Sequence, residues 1–284
     1  MKPYQLAIVM LVLALCATAA GLARSSVQAA ASGWVAIDDF EAPDPLAQWH
    51  LHDAGNETVP RLENPQVTEL RTEAGSGNHY LIKKPAAEGV VGNRKALSFR
   101  PLPVPVAVGE TYTFYARFNV EYFPNNHVFG LSNLRPQGIE QNDYNALEPS
   151  LRVTDKLESN GLKNDGTLMV KRGHGYAKIV NPQTGTEAQP LQEDTWYEVW
   201  YVVNNARRNQ GGQRYDVYLR GGDEFPVQQK VFTGADFRMQ RELPLIYFMT
   251  NCNTGPAEAP YGNGGLRYDD LYMARGLQLT TPGR

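Results

Sequence analysis

The sequence predicts an all-β protein, with two antiparallel sheets packed face to face as a sandwich. Apolar residues alternate with polar ones over short runs, the period of a strand with one face buried. No stretch of about a dozen residues holds the 3.6-residue apolar period of a helix. Gly, Pro and Asn, which suit turns, divide the runs from one another.

The first of the 284 residues predict a leader. "MKPYQLAIVMLVLALCATAAGLA" has one lysine, Lys2, and then an apolar run from Leu6 to Ala20. "VQAAAS" follows, with a small-residue cleavage site near Ala29–Ala31. This pattern predicts a signal peptide over residues 1–31, a secreted or periplasmic protein, and one β-sandwich domain over residues 32–284. The apolar run thins into Ala, Thr and Gly before the roughly 20 residues a membrane span needs, so no span is expected in the mature chain. Cys252 is the only cysteine beyond the leader, where Cys16 lies. Intrachain disulfides and the small stapled scaffolds are thereby excluded. The remaining chain, roughly 250 residues, can bury a core without them.

The net charge is −3, and loss of Lys2 and Arg24 leaves 25 bases against 30 acids. No basic run or basic stripe with interleaved aromatics occurs, so nucleic acid is not an expected partner.

In chain order, "VAIDDFE" (Val35–Glu41) is a strand with a doubled aspartate. "WHLH" puts His50 and His52 on one strand face; no third ligand follows, so a surface strand is expected rather than a metal site. The Pro-rich Arg100–Glu110 is expected as a connection or an edge, because proline cannot donate to both neighbours of a central strand. "TYTFYARFNVEYF" places Tyr112, Phe114, Ala116, Phe118 and Val120 on one face, and Thr111, Thr113, Tyr115, Arg117, Asn119 and Glu121 on the other. "NPQTGT" (Asn181–Thr186) is a turn. "TWYEVWYVVNN" (Thr195–Asn205) is apolar on both faces and predicts a central strand. "NARRNQGGQ" (Asn205–Gln213) predicts an exposed hairpin loop. "QRYDVYLRGG" turns Tyr215, Val217 and Leu219 inward, and Cys252 follows an apolar strand as an inert buried thiol. "GLRYDDLYM" (Gly265–Met273) ends the series with a second aspartate pair.

Several of these stretches resemble a known superfamily. "DDFE" with Trp49, "SGNHYL" (Ser76–Leu81) and "GETYTFYARFNV" are similar to the opening of secreted jelly-roll domains. "DTWYEVWYVVNN", "YDVYLRGG" and "LRYDDLYMARGLQLTTP" resemble the later strands of concanavalin A-like lectin/glucanase, laminin-G-like domains. The resemblance implies a two-sheet antiparallel jelly roll with one curved sheet, and a glycan or an active site on the concave side.

Alternation places Asp270 with Tyr268 and Tyr272, Asp269 with Leu271 and Met273, Asp38 with Phe40, and Asp39 with Glu41. One acid of each pair therefore points toward the core or its rim, where an uncompensated carboxylate is costly. A structural Ca²⁺ held by Asp39, Glu41, Asp269 and Asp270 would resolve this, since calcium takes six to eight oxygens. Related modules often hold calcium between these strands. The alternative is that the acids cap turns or pair with Arg267, Arg275 or lysines.

Sugars are held by aromatic faces and by planar amide or guanidinium groups. Tyr115, Arg117, Asn119, Arg152, Lys171, His174 and Tyr247 are the residues expected to line a polysaccharide groove. Catalysis has less support. The E-x-D-x-x-E spacing of retaining jelly-roll glucanases is absent. Arg71-Thr72-Glu73 resembles the first motif of jelly-roll alginate lyases, but their Q-[IV]-H motif is missing. Their third motif begins alike at Tyr247-Phe248, then departs at Met249 and at Asn253, where a tyrosine would stand. Catalytic residues are therefore not assigned; Arg117, His127 and Tyr247 are the candidates with suitable chemistry. The expected role is secreted polysaccharide binding on the concave face. A polysaccharide lyase or other depolymerase in the same groove, and a structural or adhesive surface protein, are the alternatives.

Overall fold

The computed structural model describes residues 33–158, 161, 163–255 and 262–283. The predicted leader, residues 1–31, lies outside them. The described strands are β1 (Trp34–Asp38), β2 (His50–Asp53), β3 (Val67–Thr72), β4 (His79–Lys84), β5 (Ala96–Val106), β6 (Thr111–Val120), β7 (Asn126–Ser132), β8 (Leu147–Thr154), β9 (Met169–Arg172), β10 (Gly175–Lys178), β11 (Val180–Asn181), β12 (Thr186–Glu187), β13 (Trp196–Asn204), β14 (Arg214–Gly221), β15 (Phe225–Asp236), β16 (Leu245–Cys252) and β17 (Leu266–Arg275). One short helix, α1 (Pro136–Asn142), continues as a 3-10 turn over Asp143–Ala146.

The strands form the predicted two-sheet antiparallel jelly-roll sandwich. Sheet I runs β15-β14-β13-β6-β17-β4-β3, with β1 also on β17; sheet II runs β10-β9-β8-β7-β16-β5-β2. The inward residues read from β6 and β14 are the core residues found: Phe114, Phe118, Val120, Tyr215, Val217 and Leu219 pack in one cluster between the sheets. Phe118 of sheet I meets Phe129 of sheet II at 5.5 Å between ring centroids, and Phe129 meets Tyr268 edge-on at 5.3 Å. Each such ring contributes about 1.5–3 kcal/mol on burial.

The first and last described strands are neighbours. β1 pairs antiparallel with β17, from Trp34 opposite Ala274 to Asp38 opposite Leu271. β4 takes the other half of the same β17 edge, Leu266 to Tyr268. Between them β17 bulges: its register against β6 slips between Asp269 and Tyr272, and Asp270 sits at φ +50°. The bulge corrects the simple alternation expected for this strand. Asp269 shares a face with Arg117 of β6, while Leu271 and Met273 enter the core.

The predicted Asn205–Gln213 hairpin joins β13 to β14. Gly211 supplies a left-handed turn (φ +79°), whereas Gly212 is required by proximity: a Cβ there would lie 2.0 Å from the Ala206 carbonyl oxygen. The Pro-rich segment is a strand, β5, and its prolines occupy an edge as anticipated. β2 pairs only with Ala96–Phe99, and beyond Phe99 no described strand pairs with that side.

Candidate functional site

The outer face of sheet II carries a groove of about 1020 Å³. Its floor comes from alternate residues of three adjacent strands: Asn126 on β7, Arg152 on β8 and Asn251 on β16, with Asn253 just beyond. One wall is the 3-10 turn after α1, which brings Asp143 and Tyr144. Apolar packing of Ile139, Ala146 and Leu147 on Leu97, Phe99, Val128 and Met249 seats this segment on the sheet. The opposite wall is the β9–β10 hairpin. Its two-residue turn is Gly173–His174, with Gly173 at φ +52°, the conformation such turns require at that position. Lys171 donates to the carbonyls of Gly173 (2.7 Å) and Gly175 (3.1 Å), fixing the turn and setting Tyr176 toward the groove. Ala54, Gly55 and Glu57, Arg94 and Lys95, Lys156, Glu158 and Asn164, and Arg238 after β15 complete the lining.

Five Arg and Lys line this groove against three Asp and Glu, in a chain that is acidic overall. The acids are already matched: Asp143 with Lys95 (2.7 Å), Glu57 with Arg94 (3.6 Å), Glu158 with Arg152 (2.7 Å). Among the described residues, no carboxylate lies within ion-pair distance of Lys156 or Arg238. Burial, and then the neighbouring Arg152 and Arg94, hold the Lys156 amine below its usual value against the opposing pull of Glu158. Asn251 is 4 % exposed, and its side-chain amide has no hydrogen-bond partner among the described residues.

Two tyrosines meet in the wall. The hydroxyls of Tyr144 and Tyr176 lie 2.5 Å apart, and Arg238 Nη1 donates to the Tyr176 oxygen at 2.9 Å. The Arg238 guanidinium covers the Tyr144 ring at 4.0 Å, and Arg152 faces the Tyr176 ring at 5.1 Å. Burial first, and Tyr176 next, keep the Tyr144 hydroxyl well above the ordinary tyrosine value. The groove therefore offers paired tyrosine hydroxyls beside fixed positive charge, with amides on its floor.

The structure divides the residues expected to form a groove. Arg152 and His174 line it. Lys171 backs it through the hairpin turn. Tyr247 is on the same sheet face but packs edge-on to Phe99 (5.7 Å) in the cluster beneath α1, outside the lining. Tyr115, Arg117 and Asn119 lie on the outer face of sheet I, with the whole core between them and the groove. There Tyr115 donates to Glu198 (2.9 Å), and Arg117 donates to Asp269 (2.6 Å) and stacks on Trp196 (4.4 Å). Asn119 accepts from Arg267 (3.3 Å). The catalytic candidates Arg117, His127 and Tyr247 are not brought to one point. His127 faces the core, its Nε2 against the Gly264 carbonyl oxygen (3.0 Å), and burial pushes it down to about 3. Asn126, Tyr144, Lys156, Glu158, Tyr176, Arg238 and Asn251 were not anticipated. They come from separate segments, and only the turn sequence "GHGY" at Gly173–Tyr176 marks one of them.

The expected calcium ligands do not form a set. Asp39 accepts from the Glu41 N–H (3.3 Å), and Glu41 binds the backbone N–H (2.6 Å) and Nδ1 (2.8 Å) of His79. Asp269 accepts from Asn78 (2.8 Å), Arg117 and the Asp270 N–H (2.7 Å), and Asp270 lies 3.6 Å from Arg117. Among the described residues, no group of three or more His, Cys, Asp or Glu is placed to hold a metal. A guanidinium stands where a cation would be needed. The buried acid of the first pair is Asp38, held by the Trp49 indole (2.7 Å) and Arg100.

No family model matches the chain, and no curated protein matches it. Among solved structures it is similar to the VIP36 exoplasmic/lumenal domain in a Ca²⁺/Man3GlcNAc-bound form, at 10 % identity and a TM-score of 0.43, covering 84 % of this chain and 89 % of that one. It is similar to the lectin UEA-II complexed with galactose (8 % identity, TM-score 0.42, 81 % and 98 % covered). A marine PL-14 alginate lyase from Aplysia kurodai is similar at 10 % identity and a TM-score of 0.49, with 87 % and 100 % covered.

Proposed function

We propose that the groove on sheet II binds an acidic polysaccharide, a polyuronate, and that the protein meets it outside the cytoplasm after removal of residues 1–31. The observation that carries this reading is the groove itself: about 1020 Å³, richer in cations than in anions, with Lys156 and Arg238 unmatched by carboxylates among the described residues. Guanidinium groups recognise planar carboxylates through paired charge-assisted hydrogen bonds, and buried amides accept sugar hydroxyls. No helix of the described residues is long and apolar enough to cross a membrane.

Titration calorimetry with oligomers of galacturonic, mannuronic, guluronic and glucuronic acid, beside a neutral glucan, tests the reading. Binding of at least one uronate, weakened by salt and absent for the glucan, is expected. Failure of every uronate to bind would overturn it.

The tyrosine pair favours a second reading in which the same groove cleaves its polymer by β-elimination. Tyr176, having released its hydroxyl proton to solvent, takes the proton from C5 of a uronate as a phenolate beside Arg238. The C4=C5 double bond forms as the C4–O4 bond breaks, and a tyrosine hydroxyl returns a proton to O4. The guanidinium groups would stabilise the charge that develops on the uronate and on the tyrosine oxygen. Appearance of unsaturated, ultraviolet-absorbing product from a uronan, lost in Tyr176→Phe while binding persists, is the expected result. Binding with no product from any uronan leaves the protein a binder.

A further inference from the structure

We propose that Glu158 is a built-in carboxylate occupying the anion position on Arg152, and that a sugar carboxylate takes its place when polysaccharide binds. This rests on the acidic-polysaccharide reading of the groove and gives it a source of selectivity.

Arg152 is the cation set into the floor; its side chain is 12 % exposed. A guanidinium so placed cannot be left without an anion at small cost. One side of it faces the Tyr176 ring, and Nη2 makes a long contact with the Asn126 side-chain oxygen at 3.4 Å. Among the described residues, the one carboxylate within ion-pair distance is that of Glu158, at 2.7 Å. Glu158 belongs to the loop between β8 and β9, not to the sheet, and among the described residues its carboxylate has one further hydrogen bond, from Asn164 Nδ2 at 2.8 Å. Both contacts fall on the same oxygen, Oε1. The carboxylate is thus tethered by the chain yet lightly fixed, at the mouth of a cavity built for carboxylates.

Exchange of one carboxylate for another keeps Arg152 paired throughout, so an acidic sugar can enter at little net electrostatic cost. A neutral sugar cannot displace Glu158, because it brings no charge to replace the one removed. Glu158 would lower the affinity for acidic glycans by competing with them, and leave neutral glycans to whatever the amides and tyrosines provide.

The test compares the wild type, Glu158→Gln, Glu158→Ala and Arg152→Gln, each with the tightest-binding oligouronate of the panel and with its fully methyl-esterified form. Removal of the competing charge is expected to tighten acid binding roughly tenfold in both Glu158 variants, with the ester unchanged. Arg152→Gln is expected to weaken acid binding about a hundredfold. Unchanged or weaker acid binding in the Glu158 variants, with Arg152→Gln still deficient, overturns this inference and leaves the groove reading standing. Equal shifts for acid and ester overturn it too, since a general change in loop packing would produce them. Absence of uronate binding in all four proteins overturns both.

Discussion

The outer faces of the two sheets carry the same kinds of side chain and use them oppositely. On sheet I, every cation read from β6 and β17 is answered from within the chain: Arg117 by Asp269, Arg267 by Asp194 and Asn119. The Trp200 and Trp34 indoles donate to Thr280 of the C-terminal segment, which lies over Tyr115 and its neighbours. On sheet II, Lys156 and Arg238 line an open groove with no carboxylate within ion-pair distance among the described residues, Arg238 being held by Asn145 and Tyr176, and the Asn251 amide is without a partner there. Residue type sets what chemistry a face can do. Whether that chemistry is available is set by what the topology lays across it: a C-terminal strap on one sheet, a wall-forming turn and hairpin on the other.

The largest expected effects follow from exchanging the same lesion between the two faces. Arg117→Ala leaves the fully buried Asp269 without its cation and should cost about 3–5 kcal/mol of stability. It should leave oligouronate affinity unchanged. Arg152→Ala should do the reverse, weakening oligouronate binding by about a hundredfold. Its effect on melting should be smaller, because its partner Glu158 can turn to water. Thermal melts and calorimetry on both variants decide the matter. Uronate binding lost in Arg117→Ala at a temperature where it remains folded would mean the two faces are not independent.

This contrast also explains what could be read from sequence. The sandwich was legible because alternation is a local property: the inward residues of β6 and β14 follow from spacing alone. So was the meeting of the first and last described strands, since strands with matching character can pair. The groove was not legible. Its cations come from strand β8 (Arg152) and from the loops near residues 94, 156 and 238, none of which forms a basic run. Tyr115, Arg117 and Asn119 were correctly placed on a polar outer face, but alternation cannot say which of two sheets a strand enters. The acids expected to hold calcium take protein partners among the described residues for a related reason. The calcium expectation rested on undisturbed alternation in β17, and a bulge at Asp270 instead turned Asp269 onto Arg117.

That bulge has a consequence in pH. Burial first, and the adjacent Asp270 next, raise Asp269 from its ordinary 3.8 to about 6, against the opposing pull of Asn78 and Arg117. Between these values the native state keeps a proton that the unfolded chain has released. Stability from this group is therefore full below about pH 4 and is lost as pH rises through about 6, by up to about 3 kcal/mol. Asp269→Asn should flatten that part of the stability curve, measured by denaturant melts from pH 4 to 7. An unchanged slope in the variant would place the titrating group elsewhere, and the sheet II face, with its acids already paired, is where it would next be sought.

The smallest expected effect sharpens the comparison most. If the acids of sheet I were held by a divalent ion, chelation would remove the charge that lets Asp269 and Asp270 stay buried, and melting would fall with it. Arg117 already supplies that charge, through a covalent tether that no chelator removes. Asp38 is served in the same way by Arg100 and by the Trp49 indole. Dialysis against a chelator should therefore leave the melting temperature of the wild type where it was. In Arg117→Ala the same acids lose their fixed cation, and added Ca²⁺ has a vacancy to fill. Recovery of part of the lost stability by calcium in that variant, with none in the wild type, would show that the two cations are alternatives at one place. A chelator-sensitive wild type would instead mean that the bulge serves a metal as well as Arg117.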